Sequence, residues 1–276
     1  MNSDKASKYI NMKERWYHNI PASLYFWSKQ IELKLSISKK LERNKEIRRY
    51  FGISTQIYEQ YTDWEMRAYE NGSQWTTNGN KMAVVSFKKI RMHYLMSVIS
   101  EIDKLHRELN RPIRVLEVGC GNGTNLQILK TELGDKVNLT GIDISNERIE
   151  QGKNYWGDRL ADITFRVDSA IDLKTFSEND VDIIYTVHCL EQLPYNVDTA
   201  IEAIHRVTAH TAVFIEPVWE FANTAQRMYT LFGDQLRTLL PALKNSNFQI
   251  VETEKAKLLA NPLNQTGFII ARKIRR

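Results

Sequence analysis

From residue 111 onward, short β-rich runs alternate with helix-length stretches, and this alternation most constrains the fold. The runs are 114–118, 138–143, 163–168, 181–188, 212–216, 248–254 and 268–274. Helical patterns fit between them near 124–133, 145–156, 197–207 and 223–242. Such alternation implies right-handed strand–helix–strand crossovers and a mostly parallel sheet. Only 255–267 separates the last two runs, with no helix-length pattern, so these are expected to pair antiparallel at one edge. The expectation is an α/β, Rossmann-like, doubly wound seven-stranded sheet over 111–276.

Residues 1–110 read as a mostly helical N-terminal extension. Over 83–105, Val84, Phe87, Tyr94, Leu95, Val98, Ile102 and Leu105 recur at three- and four-residue spacings, as on one face of a long helix. In 24–41, Leu24, Trp27, Ile31 and Leu35 fit a helix, whereas Ile31, Leu33, Leu35 and Ile37 alternate like a strand. Abundant Lys, Glu and Leu favour the helix. Two Asn-Gly pairs make 71–80 a loop. The extension is also basic. Residues 1–111 hold 20 Lys+Arg and 12 Asp+Glu, a balance of +8, whereas 112–276 hold 18 and 21, a balance of −3. The densest stretch, 28–50, ends in Arg48 and Arg49. It reads as a solvated helix face or as a lure for an anionic partner.

Hydrophobic residues at 42% and charged residues at 26% are ordinary for a globular chain, which excludes disorder as the main architecture. No apolar run reaches the ~18 residues of a membrane span, and MNSDKASKYI lacks the apolar core of a signal peptide. Cys120 and Cys189 are the only cysteines, so there is neither a disulfide framework nor zinc spacing. The expected setting is cytoplasmic, with no membrane span and no metal.

The chemistry concentrates in 115–125, VLEVGCGNGTN, where an apolar strand runs into Gly119, Gly121 and Gly123 before a helix. Ligands of doubly wound sheets sit beyond the carboxyl ends of the strands, and glycines there let the backbone approach them closely. A tight turn without a ligand is the alternative. Asp143 ends the second run, 24 residues after Gly119, about where a carboxylate reaches a ribose hydroxyl in nucleotide-binding units. Asp168 ends the third and could accept from an adenine amino group. Either acid alone could cap a turn.

Together these residues resemble the class I S-adenosylmethionine-dependent methyltransferases. Glu117–Thr124 matches that family's first motif, and Asp143 and Asp168 match its ribose and adenine-side acids. VDIIYTVHCLEQLP, 181–194, is similar to its fourth motif, with Gln192 where His is common. Glu216-Pro217 resembles the end of its fifth strand. The usual Pro-Gly-Gly turn is absent from 204–210. The resemblance covers 111–276, the catalytic domain. It implies that 1–110 supply a lid and acceptor-binding region, and that the cofactor is S-adenosyl-L-methionine. It implies that Glu117, Gly119, Cys120, Gly121, Asn122, Gly123 and Asn125 surround the methionine part. Asp143 and Ile144 would serve the ribose, and Asp168, Ser169 and Ala170 the adenine, with His188 beside the methyl group.

A hydroxyl acceptor also needs a base. The candidates are His188, whose ordinary pKa suits the task, Glu191 and Glu216 on the same rim, and Tyr17 and His18 in an N-terminal polar-aromatic stretch. Pocket shaping, capping and plain packing are their alternatives. The aromatic set Tyr58, Tyr61, Trp64, Tyr69 and Trp75 reads as a lid or as helix packing. The reading is methyl transfer to a small-molecule acceptor, an anionic metabolite, sugar or polysaccharide precursor, or natural product. The competing readings are an RNA or protein methyltransferase, an NAD-dependent oxidoreductase and a non-catalytic binding protein. No recognised RNA-binding module is present, so no stable nucleic-acid partner is expected.

Overall fold

A computed structural model describes residues 15–35 and 64–274. The N-terminal part contains β1 (Arg15–Pro21), α1 (Ala22–Leu35), α2 (Trp64–Asn71), β2 (Ser73–Asn78), β3 (Lys81–Ser86) and α3 (Phe87–Leu109). Its strands form an antiparallel sheet in the order β1-β3-β2. Two sequence expectations fail here. Most of 71–80 is the strand β2, because only Gly79, at φ 60°, and Asn80 are needed to turn the chain into β3. The helix expected from residue 83 begins at Phe87, because Ala83, Val84 and Val85 pair with β2, and two of these three are β-branched. Over 24–35 the helical reading holds; 36–41 lie outside the described residues.

The main sheet contains β4 (Ile113–Val118), β5 (Val137–Asp143), β6 (Thr164–Val167), β7 (Val181–Val187), β8 (Thr208–Pro217), β9 (Phe248–Lys255) and β10 (Thr266–Lys273). The order is β6-β5-β4-β7-β8-β10-β9. Strands β4 to β8 run parallel, and β10 is antiparallel to both β8 and β9. The helices α4 (Thr124–Leu133), α5 (Asn146–Trp156), α6 (Val197–Val207), α7 (Thr224–Phe232) and α8 (Leu239–Asn245) complete the fold. The one helix expected over 223–242 is two, broken where Gly233 ends α7 and Asp234 takes a positive φ of 48°.

Two-residue periodicity splits the core between the sheet's faces. Val115, Ile183, Val213 and Ile270 join a cluster with Tyr94, Leu95, Val98 and Ile102 of α3. Leu116, Ile184, Phe214 and Ile269 join the opposite cluster with Ile201 and Ile204 of α6. Every residue of β7 is buried, as a strand covered on both faces requires. The chain builds outward from β4 to β6, then crosses back to β7 on the other side of β4. Strand order thus reverses between β4 and β7, and a crevice opens above that point. Among the described residues no helix is long and apolar enough to cross a membrane.

The opposite end of the sheet is pinned by Asp182, which has no exposed surface. Its oxygens accept from both guanidinium nitrogens of Arg111 (2.7 and 3.0 Å), from Arg114 Nη2 (2.9 Å) and from the Arg114 N–H (2.9 Å). Burial pushes the carboxyl up, but these donors outweigh it and hold it well below the usual carboxylate range. A depressed folded pKa stabilises the fold above the unfolded value and loses that effect as pH falls through the folded one. Asp182→Asn should therefore cost about 1.5–3 kcal/mol near neutral pH. In urea titrations the gap between wild type and variant should be full above roughly pH 4 and shrink in stronger acid. A pH-independent gap would show that the charge of Asp182 contributes nothing.

Candidate active site

At the top of β4 the chain turns through Gly119, Gly121 and Gly123, with φ of 77°, 53° and 72°. These are left-handed values that favour glycine. Any side chain on Gly119 would collide with Cys189, and one on Gly121 would lie 2.7 Å from the Arg148 guanidinium. Asp143, at the top of β5, holds this loop. Its Oδ2 accepts the Gly121 N–H (2.8 Å) and its Oδ1 the Ser145 N–H (2.9 Å). Ser145 Oγ in turn caps α5 through the Arg148 N–H. Beneath the loop lies Glu117, fully buried, with Asn125 Nδ2 donating to its Oε1 (2.6 Å). Burial pushes Glu117 up to about 8, despite relief from Asn125 and Tyr185. Asn125 Oδ1 is buried without a partner.

The other wall begins where β7 ends. His188 has φ 53°. The turn after it hangs on Glu216, whose carboxylate accepts the N–H groups of Cys189 (2.9 Å), Leu190 (3.1 Å) and Glu191 (3.2 Å). Glu216 is wholly buried. Burial pushes it up to about 7, against the lowering influence of His188. The His188 ring stacks on Tyr94 of α3, with centroids 5.7 Å apart. Its Nε2 lies 2.9 Å from Thr266 Oγ1 and its Nδ1 3.5 Å from Glu191 Oε1. Glu191 also accepts from Asn264 Nδ2 (2.5 Å) and Gln192 Nε2 (3.2 Å). Burial lowers the imidazole pKa, but Glu191 outweighs burial and raises it above the ordinary value. Burial raises Glu191, and His188 with the two amides brings it below its ordinary value.

Between these walls lies a cavity of about 190 Å³ lined by Gly119, Cys120, Gly121, Asn122, Asn125, His188 and Glu191, all read from the sequence. Thr124, Val187 and Gln192 line it too, inside the matched motifs but not singled out as site residues, and so do Glu65, Arg91, Arg148 and Ala260, which the sequence reading did not find. Glu65 arrives because α2 docks along α5. Tyr69 packs edge-on against Trp156, and Glu70 accepts from Tyr155 Oη (2.7 Å) and Arg159 Nη1 (2.9 Å). Glu65 Oε2 then meets Arg148 Nη2 and Asn122 Nδ2, each at 3.2 Å. The 256–265 segment brings Ala260, tied to β2 by Gln74 Nε2 donating to the Ala260 carbonyl (2.6 Å) and by Thr76 Oγ1 donating to that of Leu259 (2.8 Å).

Beside the cavity is an open shelf. Ile144 and Val167, where the adjacent strands β5 and β6 end, are 42% and 51% exposed. Asp168, Ser169 and Ala170 follow Val167. Asp168 accepts from the Ser169 N–H (2.8 Å), the Thr175 N–H (2.9 Å) and Thr175 Oγ1 (2.6 Å). Burial raises its carboxyl, but these bonds keep it below the ordinary value. Tyr17 and His18 belong to β1, where Tyr17 pairs with Met82; the side chains of 15–20 lie outside the described residues. So do Arg48, Arg49, Tyr58, Tyr61 and the Trp64 side chain. Tyr69 serves packing, as its contact with Trp156 shows, and Trp75 is 41% exposed on β2.

Residues 115–211 match the methyltransferase-domain family. An O-methyltransferase of Aspergillus nomiae, rstn1, is 26% identical over 171 residues, 54% of this chain and 73% of that protein. The crystal structure of magnesium protoporphyrin IX methyltransferase from Synechocystis PCC 6803 with bound S-adenosylhomocysteine shares the fold. Its TM-score is 0.53 at 20% identity, over 84% of this chain and 99% of that one. A chain in the complex of the Haloferax volcanii Trm112 activator with a methyltransferase aligns at TM-score 0.50 and 15% identity, over 60% and 84%.

Gly152 on α5 approaches the Asn122 backbone so closely that an added methyl would overlap it. Gly152→Ala should displace the glycine loop at a folding cost of about 1–3 kcal/mol. S-adenosylhomocysteine affinity, read by calorimetry, should fall roughly tenfold or more, the scale of one lost hydrogen bond to a charged group. Wild-type affinity in a folded variant would show that the loop does not depend on this contact.

Proposed function

The chain belongs to the class I S-adenosylmethionine-dependent methyltransferases, and from that premise we propose that it methylates an oxygen of an anionic small molecule. The observation that carries the oxygen assignment is the His188–Glu191 pair on the cavity wall, a proton acceptor where a hydroxyl needs one. The similarity to an O-methyltransferase supports it. The basic balance of 1–111 supports an anionic acceptor. Two free cysteines fit a reducing, cytoplasmic setting.

The residues fit S-adenosylmethionine. Gly119 and Gly121 line the cavity with backbone alone, and Asn125 Oδ1 is buried without a donor. When bound, the cofactor supplies an electrophilic methyl group on a sulfonium. Gly119, Cys120, Gly121, Asn122, Gly123 and Asn125 hold its amino-acid end, with Glu117 supporting Asn125 from below. Asp143 offers its remaining lone pairs to the ribose hydroxyls. Ile144 and Val167 give the adenine an apolar seat, bordered by Asp168, Ser169 and Ala170. Orienting cofactor and acceptor in this way is worth roughly 7–11 kcal/mol. His188 takes the acceptor's proton at Nε2, where the acceptor hydroxyl replaces Thr266 Oγ1, Glu191 orients the imidazole through Nδ1, and Glu216 is a positioning residue that fixes the turn. The N-terminal residues 1–110 form the acceptor side, since α2 already delivers Glu65 to the cavity and β2 braces the 256–265 segment.

Incubation with methyl-labelled S-adenosylmethionine and fractionated metabolite pools tests this reading. The labelled product should be an O-methylated, anionic small molecule, and label found only on protein, RNA or nitrogen would overturn it. A base must be neutral to accept a proton, and the His188 pKa lies above 6.5. kcat/KM should therefore rise with pH through a midpoint above that value. His188→Asn should abolish this rise and slow turnover by roughly 10²–10⁴-fold. A variant that keeps the same pH profile would remove His188 from proton transfer.

A further inference from the structure

Arg91 projects from the second turn of α3 into the cavity, beside Gly119 and Asn125. Among the described residues it makes no hydrogen bond or ion pair. The other arginine of the cavity, Arg148, is neutralised by Glu65. Neither cavity carboxylate is free for Arg91. Glu65 is shared between Arg148 and Asn122, and Glu191 between His188, Asn264 and Gln192. Beneath the loop, Glu117 is mostly protonated at neutral pH, its carboxyl raised to about 8 by burial.

The backbone beneath Arg91 is firmly held. Three residues on, Tyr94 is fully buried, stacks on His188, accepts the Ala260 N–H at 2.7 Å and meets Thr266 Oγ1 at 3.2 Å. Among the described residues, the cavity therefore offers a half-buried cation on a held stretch of helix with no paired carboxylate and, in Asn125 Oδ1, a buried acceptor with no donor. A zwitterionic α-amino-acid head presents the complement of both, a carboxylate and an ammonium.

We propose that Arg91 binds the carboxylate of the cofactor's amino-acid end, pairing with it through the guanidinium fork while Asn125 Oδ1 accepts from the ammonium. This rests on the reading that the amino-acid end enters the cavity. It also separates Arg91 from acceptor recognition, because its charge is satisfied before the acceptor arrives.

Binding calorimetry with S-adenosylmethionine and with its decarboxylated analogue, which lacks only the carboxylate, tests the assignment. Wild type should prefer S-adenosylmethionine by roughly ten- to a hundredfold, the range of charge-assisted hydrogen bonds. Arg91→Gln should erase that preference and leave the analogue's affinity unchanged. Arg91→Lys should keep part of it, as a point charge without the planar fork. The proposal falls if wild type binds both compounds equally, if Arg91→Gln weakens both alike, or if the variant keeps the full preference. Binding of neither compound to wild type would fell the cofactor reading as well, which distinguishes the two failures.

Discussion

Unpaired backbone N–H groups where parallel strands end are the constraint on which this crevice depends. A strand that stops at the sheet's edge leaves donors that the ladder no longer satisfies, and burying them unpaired is costly. Here carboxylates meet that demand at three places. Asp143 takes the N–H groups of Gly121 and Ser145, Asp168 those of Ser169 and Thr175, and Glu216 those of three successive residues after β7. The same side chains set the shape of the cavity and its shelf. Asp143 fixes the glycine loop, and Glu216 presents His188 and Glu191 on one rim.

This arrangement crowds acids into a buried region, and the protein answers differently at each. Glu191 lies beside His188 and two amides, so it stays ionised. Glu117 has a single amide and the Tyr185 hydroxyl to set against complete burial, and its proton stays on near neutrality. Glu216 lies between them, drawn toward ionisation by His188 and away from it by Glu191 and burial. Burial disfavours the charged form of all three, and their separate partners decide how far. The pocket thereby avoids three mutually repelling carboxylates while keeping one charged partner for the imidazole.

Local signals in the sequence were enough for the parallel strands, the glycine loop and the turn after β7. Continuous apolar runs mark strands buried on both faces, and glycines directly after one of them mark a turn that side chains would block. Both follow from neighbouring residues, so Gly119, Asp143 and His188 were legible. β2 was not, because its SQWTTN is polar and lies between two Asn-Gly pairs that signal turns. Only pairing with β3 and the 256–265 segment makes it a strand. Glu65, Arg91 and Asn264 escaped for a related reason. Asn264 meets Glu191 across 73 positions and Arg148 meets Glu65 across 83, and no periodicity encodes such encounters. Arg91 did carry one usable signal, its place one helical turn before Tyr94 on an otherwise apolar face.

The elements and residues that sequence reading missed lie on the side of the cavity away from the parallel strands. β2 is joined to the 256–265 segment by side-chain-to-backbone bonds from Gln74 and Thr76, that segment to the crevice by Asn264 donating to Glu191, and α2 to the glycine loop and α5 by Glu65. The parallel strands and glycine loop need only neighbouring residues to take shape. The opposite wall needs residues distant in the chain to meet. This wall is not independent of the glycine loop, because Glu65 of α2 accepts from Asn122 and Arg148, while Tyr94 and Thr266 hold the imidazole. His188 is the point where the two halves become interdependent: its backbone belongs to the sheet, and its ring is fixed by partners from α3 and β10.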